Sequence, residues 1–241
     1  MCCDTKYKDG EGYSLQELVK YCSAIFICVP TPSKETGEGD TSMLELVLNS
    51  LTELKYSGVV ICKSTATPSW YIEAERRFPL KLAHVPEFLT QNNATSDYLN
   101  QERVIIGVEP QYRELVYQSV VGVSSLRNRP STLQVEYCSV GEAAMFKYVA
   151  NTMLAMKVII NNEFSDFCEA IGVDYEVVST IASKDDRLGV THWKVPGPDG
   201  KRGYGGACFP KDTNALLFDS ELMKVDLSML RAAILKNELI R

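Results

Sequence analysis

The chain has 241 residues, 45% hydrophobic and 23% charged, with 31 acidic against 25 basic side chains and a net charge of −6, a composition that suits a globular protein of one or two domains with a real core. No block of basic residues stands out, so nucleic acid and anionic membrane are not expected partners, and neither a signal peptide nor a bilayer-spanning apolar stretch is expected. Eight cysteines without a CxxC pair read as reduced thiols of a cytoplasmic protein, and two histidines, His84 and His192, argue against a His-based metal site or a Cys–His dyad.

The first half alternates helix-like and strand-like segments. Residues 14–21 have helical character, and residues 23–30 (SAIFICVP) form a short apolar run ended by proline. Residues 43–54 and 68–77 are the next helices, with a strand at 58–63 between them. Strands follow at 81–85 and 104–108, and a helix at 110–119. Such alternation predicts a parallel sheet covered by helices, with ligands beyond the carboxyl ends of the strands. Two of those ends carry small hydroxyl side chains and free amides: Val29, Pro30 and Thr31 after the first strand, and Lys63, Ser64 and Thr65 after the second. They suit a cofactor phosphate, ribose or amide, or equally a turn or helix cap.

From about residue 135 the period changes. Residues 141–171 predict one long helix with Met145, Val149, Met153, Met156, Ile160 and Phe167 near 3.6-residue spacing and other faces that are also largely apolar, so the helix is buried or shared between subunits. Lys147 and Asn151 interrupt it on one face, four residues apart. A lysine there is costly unless paired or employed, or else it snorkels to solvent. A last helix is expected over 226–241. Before it lies the run GYGGACFPKD, residues 203–212, in which Gly205 and Gly206 leave room beside Cys208. Lys211 supplies positive potential that favours a thiolate, and Asp212 puts a carboxylate one helical turn away. The competing reading is an inert cysteine beside a glycine turn.

In order and spacing, Pro86-Glu87-Phe88, Lys147-x-x-x-Asn151, Asp186-Arg187-Leu188-Gly189 and the cysteine run together resemble the UDP-glucose 6-dehydrogenase group of nucleotide-sugar dehydrogenases. The resemblance implies an α/β fold: an incomplete Rossmann-like parallel sheet over residues 1–130, then an all-helical central domain over 131–241 that carries the cysteine and makes a homodimer. It also implies oxidation of the C6 alcohol of a nucleotide-sugar, UDP-glucose to UDP-glucuronate, with two NAD per turnover and a cysteine-bound intermediate. GDP-mannose is the alternative substrate, and a non-catalytic remnant that cannot hold NAD is the alternative of another class.

Carried over, Cys208 would be the nucleophile, Lys147 and Asn151 would stabilise developing oxyanions, Asp212 would orient or deprotonate a water, and Glu87 would be the base for thioester hydrolysis. Phe88, Leu89, Tyr204 and Gly205 would join these residues around the substrate, with Arg187 reaching it from the neighbouring subunit in many members. Asp4, Val29, Pro30, Thr31, Ser33, Ser64, Thr65, Gln91 and Lys211 would line the NAD site, and no metal is implied. Gln91 stands where the family usually has a second glutamate, and an amide cannot act as a base. No GxGxxG turn is present: Gly10-Glu11-Gly12 is followed by Leu15 and has no strand before it. The chain is therefore expected to begin one βα unit late, with Met1–Cys3 as a remnant of the second strand and Asp4 at the ribose position, and to lack the carboxyl-terminal domain of longer members.

Overall fold

The computed structural model describes residues 12–89, 93–122 and 133–241. Helix α1 (Leu15–Tyr21) opens with a capping box, Ser14 accepting from Glu17 N while the Glu17 side chain accepts from Ser14 N. Strand β1 (Ala24–Ile27), α2 (Ser42–Glu53), β2 (Val59–Cys62), α3 (Pro68–Arg77) and β3 (Lys81–His84) follow in strict alternation. Thr67 caps α3 and Pro68 begins it, where a missing N–H costs nothing. Then come α4 (Ala94–Asn100), β4 (Arg103–Val108), a single 3-10 turn at Pro110–Tyr112, α5 (Arg113–Val120) and β5 (Gln134–Cys138).

The sheet order is β1-β2-β3-β4-β5. Strands β1, β2 and β3 run parallel with Ile27 opposite Cys62 and Cys62 opposite His84, but β4 pairs antiparallel with β3 before β5 pairs parallel with β4. The expectation of a purely parallel sheet is corrected at that one pair. All four residues of β2 are buried, as a strand covered on both faces requires. Val60 and Cys62 join Leu44, Leu48, Leu51 and Tyr71 in one core, while Val59 and Ile61 join Ile106, Val108 and Val116 in the other.

Helix α6 (Val140–Ala170) leads to α7 (Tyr175–Ala182), α8 (Phe209–Leu222) and α9 (Ser228–Ile240). Contacts divide the chain into two compact units, the first running up to Pro32 and over Gly39–Lys147, the second made of Ser33–Glu38 and Tyr148–Arg241. The sequence set a boundary at residue 130; by contacts the sheet unit also keeps β5 and the first two turns of α6. In the second unit Ala155 and Ile159 of α6 pack with Tyr204 and Ala233 in a small core.

By length and composition α6 is able to cross a bilayer, contrary to the expectation that no stretch is long and apolar enough. In the fold it buries several polar residues: Lys147, Asn151, Asn161 and Asn162 are each less than a tenth exposed. The apolar stripe at Met145, Val149, Met153, Ile160 and Phe167 is the exposed one. The buried residues mix alanines and these polar groups with Tyr148 and Ile159.

Candidate active site

The residues singled out from the sequence fall into two groups, one in each unit. In the first unit the carboxyl ends of β1 and β2 are tied together by side chains. Ser64 Oγ donates to Val29 O at 2.7 Å, Thr31 Oγ1 donates to Thr65 O at 2.7 Å, and Tyr71 Oη donates to Ser64 O at 2.6 Å. Each hydroxyl gives its proton to a carbonyl and keeps lone pairs to accept with. Beneath this rim His84 is buried, its ring 4.1 Å from that of Tyr71 and its Nδ1 3.0 Å from Cys62 O. A carbonyl only accepts, so Nδ1 carries the proton. Burial pushes the His84 pKa down to about 3, the bond to Cys62 O opposing and the charges of Lys63 and Lys147 adding to the fall.

Three residues past His84, Glu87 stands at the same end of the sheet. Its Oε2 lies 2.9 Å from Lys63 Nζ, and its Oε1 accepts from Phe88 N at 3.0 Å. Lys147 donates to the Glu87 carbonyl and sits 5.0 Å from the centre of the Phe88 ring, which meets Phe146 edge to face. Lys147 does not snorkel; it is buried and employed. Pro30 is exposed and Leu89 half-buried, whereas Asp4 and Gln91 lie outside the described residues.

In the second unit Cys208 is exposed and forms the N-cap of α8. Pro210 signals this in the sequence, because proline in a first helical turn marks a start more often than an exit. The Cys208 carbonyl accepts from Asp212 N at 2.8 Å, placing Asp212 one turn inside the helix at 1% exposure. Its Oδ1 meets Lys211 Nζ at 2.6 Å and its Oδ2 accepts from Asn151 Nδ2 at 2.5 Å. Lys211 is thus engaged by Asp212, and a buried carboxylate is satisfied on both oxygens. Ser33, assigned to the same cofactor set, is exposed and donates only to Lys34 O.

The turn before Cys208 is held by Asn162 and Asn237, neither of which stood out in the sequence. Gly203 and Gly206 have φ of 68° and 76°, and a Cβ on Gly203 would fall 2.4 Å from Asn237 Oδ1. Asn237 accepts from Tyr204 N at 2.7 Å and donates to Tyr204 O at 3.1 Å, while Asn162 accepts from Gly203 N at 3.3 Å. The Tyr204 side chain is buried, its hydroxyl 3.4 Å from Thr213 Oγ1. Gly205 and Gly206 border a cavity of about 650 Å³ whose other walls include His192, Trp193, Tyr204 and Phe209.

Arg187 projects from a turn of its own, highly exposed, with its guanidinium clamped in bidentate fashion by Asp185 at 2.6–3.2 Å. That clamp lowers the Asp185 pKa and raises that of Arg187. The turn is fastened to α6 by Lys157, which donates to Leu188 O at 2.9 Å and Gly189 O at 3.2 Å and lies 4.2 Å from the Trp193 ring. Trp193 Nε1 donates to the same Gly189 carbonyl. A lysine and a tryptophan 36 residues apart gave no local pattern to find.

A mostly parallel sheet unit with helices between its strands, followed by a helical unit in which an exposed cysteine opens a helix one turn before a buried aspartate, defines a class of two-unit α/β protein. Residues 11–121 match the NAD binding domain of the UDP-glucose/GDP-mannose dehydrogenase family and residues 141–239 match its central domain. The chain belongs to that family. It is 35% identical over 237 residues to the UDP-glucose 6-dehydrogenase of Pseudomonas aeruginosa, covering 93% of this chain and 50% of the relative. The UDP-glucose 6-dehydrogenase of Rickettsia prowazekii is 32% identical over 223 residues, covering 90% and 49%. A UDP-glucose dehydrogenase structure from Pyrobaculum islandicum superposes with a TM-score of 0.79 at 26% identity, over 94% of this chain and 52% of that one. The chain spans about half the length of the curated relatives it matches.

Proposed function

We propose that this protein oxidises the C6 alcohol of a nucleotide-sugar, UDP-glucose in the first instance, to the carboxylate. The observation that carries the reading is the Cys208–Asp212 turn: an exposed thiol at a helix start, with a buried carboxylate one turn away held by Asn151 and Lys211. The acceptor oxygens and backbone amides at the ends of β1 and β2 suit the hydroxyls of a ribose, and Val29, Pro30, Thr31, Ser64 and Thr65 would hold NAD there. Bound there, NAD would supply the hydride acceptor, one molecule for each of the two oxidations at C6.

The chain's own residues do the rest. Loss of the first hydride and the hydroxyl proton leaves an aldehyde, to which the Cys208 sulfur adds, forming the S–C6 bond of a thiohemiacetal. Lys147 and Asn151 offer a cation and an amide donor to the C6 oxygen as it gains charge. Loss of the second hydride together with the hydroxyl proton of the thiohemiacetal leaves a thioester. Glu87 takes a proton from water as that water attacks the carbonyl carbon, and the C–S bond breaks to return the thiol and release the acid. Asp212 would orient or deprotonate a water, and Phe88, Leu89, Tyr204, Gly205 and Arg187 are the residues assigned to the sugar.

A second copy of the chain completes the arrangement. Met153, Ile160, Phe164 and Phe167 of α6 with Val177 and Ile181 of α7 leave an apolar face open, which supports a homodimer through these helices. All six cysteines among the described residues are free thiols, which supports a reducing, cytoplasmic location. The test is NADH release by the full chain across a panel of UDP- and GDP-hexoses, with Cys208→Ser in parallel. Two NADH per acid formed from UDP-glucose, and acid formation at least about 10³-fold lower in the variant, are expected. Failure to bind NAD or to turn over any sugar would favour a non-catalytic binding protein, and preference for GDP-mannose would change the substrate but not the chemistry.

A further inference from the structure

Lys63 has no part in the mechanism above, yet its side chain reaches the residue that does the last proton transfer. Because β2 and β3 are parallel neighbours with Cys62 opposite His84, the chain leaves both strands at the same edge, Lys63 one residue past one strand and Glu87 three past the other. The Lys63 backbone is pinned by its N–H to Ile27 O at 2.9 Å, and Val85 N is pinned to Cys62 O at 3.0 Å. Only 19% of the Lys63 side chain is exposed, and its ammonium is 2.9 Å from Glu87 Oε2. The other carboxylate oxygen is turned to Phe88 N, and the backbone of Glu87 is held from the opposite side by Lys147.

We infer that Lys63 is a positioning residue for the hydrolytic step, fixing the Glu87 carboxylate in the one orientation from which it takes a proton from water. A carboxylate accepts about four hydrogen bonds, so the two anchors seen here leave room for that water while removing rotation about the side chain. General-base catalysis is sensitive to such placement, and a group free to turn away loses much of its advantage. Gln91, four residues past Glu87, carries an amide that cannot substitute as a base.

The inference rests on the proposed thioester reading, so its test carries a control for that reading. On the full chain, NADH formation is followed in a single turnover while intact mass reports sugar bound to Cys208, in the parent, Lys63→Met, Lys63→Arg and Glu87→Gln. Lys63→Met is expected to keep the NADH burst and the KM for the nucleotide-sugar, to slow acid release by about 10- to 100-fold, and to accumulate the adduct. Lys63→Arg, which retains a cation of similar reach, should restore most of the rate. Turnover at the parent rate in Lys63→Met, an arginine variant no better than the methionine one, or a raised KM for NAD with normal hydrolysis would each overturn the assignment. If Glu87→Gln itself builds no adduct, it is the thioester reading that fails; if it does and Lys63→Met does not, only the role of Lys63 falls.

Discussion

The imidazole of His84 is closed in by Tyr71 and the β2 backbone, and it stays neutral because burial outweighs its bond to Cys62 O. Its folded pKa of about 3 lies below the ordinary value near 6.5, so in that interval the unfolded chain binds more protons than the folded one. Stability from this residue is therefore complete above pH 6.5 and is lost as pH falls toward 3, at up to about 1.4 kcal/mol per pH unit. His84→Asn keeps an N–H for the Cys62 carbonyl and removes the titration, so its urea-unfolding free energy should fall less steeply between pH 6 and 4 than that of the parent. Equal slopes would show that His84 is not the group responsible. The sequence made Cys208, Asp212 and Lys147 stand out because each is a reactive or charged residue in an otherwise small or apolar setting, whereas Glu87 entered only through the family resemblance of Pro86-Glu87-Phe88. Lys63 and His84 did not, since their roles come from strand register, and an isolated lysine or histidine at a strand end looks like any other.

Strands β1, β2 and β4 were legible as short apolar runs rich in Ile and Val, β3 (KLAH) only as a short run in its place in the alternation, and the helices between them were legible from caps and periodicity. Strand β5 escaped because its residues are exposed or only half-buried, so no apolar run marks it. The reversal between β3 and β4 escaped because strand direction is set by the path of the connection and not by the composition of either strand. Likewise no helix was expected at α8, although Pro210 sits in its first turn, where proline is well placed. Holding the cysteine turn against α6 and α9 falls to Asn162 and Asn237, buried polar residues on helices whose other positions are largely apolar. Asn237→Leu would leave the N–H and C=O of Tyr204 without partners, at a cost of about 2–3 kcal/mol for the pair. Urea unfolding should show that loss, and acid formation should fall with it, because the turn that aims Cys208 would be free to move. A variant of parent stability would show that water replaces Asn237 without penalty.

At the scale of the molecule, α6 serves each unit in turn: its first two turns are counted with the sheet and the remainder with the helical unit. Its buried residues mix Ala143, Ala144, Tyr148, Ala155 and Ile159 with Lys147, Asn151, Asn161 and Asn162, while Met153, Ile160, Phe164 and Phe167 are left exposed, more large apolar surface than a helix on an isolated monomer ordinarily shows. Exposed apolar side chains in that number, continued by Val177, Val178 and Ile181 of α7, are what an obligate interface presents before it is covered. A second copy offers the same face, and a two-fold pairing would bury it twice over. Light scattering coupled to size exclusion should therefore give a dimer, and Met153→Glu with Phe167→Glu should shift it toward monomer. The double variant places two charges per chain in a dry interface, so the dissociation constant should rise about 100-fold or more, equivalent to about 2.8 kcal/mol. Because the polar side of α6 is untouched, the Asn151–Asp212 bond should survive in the monomer, leaving the Cys208 turn intact in whatever monomer forms. A monomeric parent at micromolar concentration would instead assign the apolar face to a partner other than a second copy.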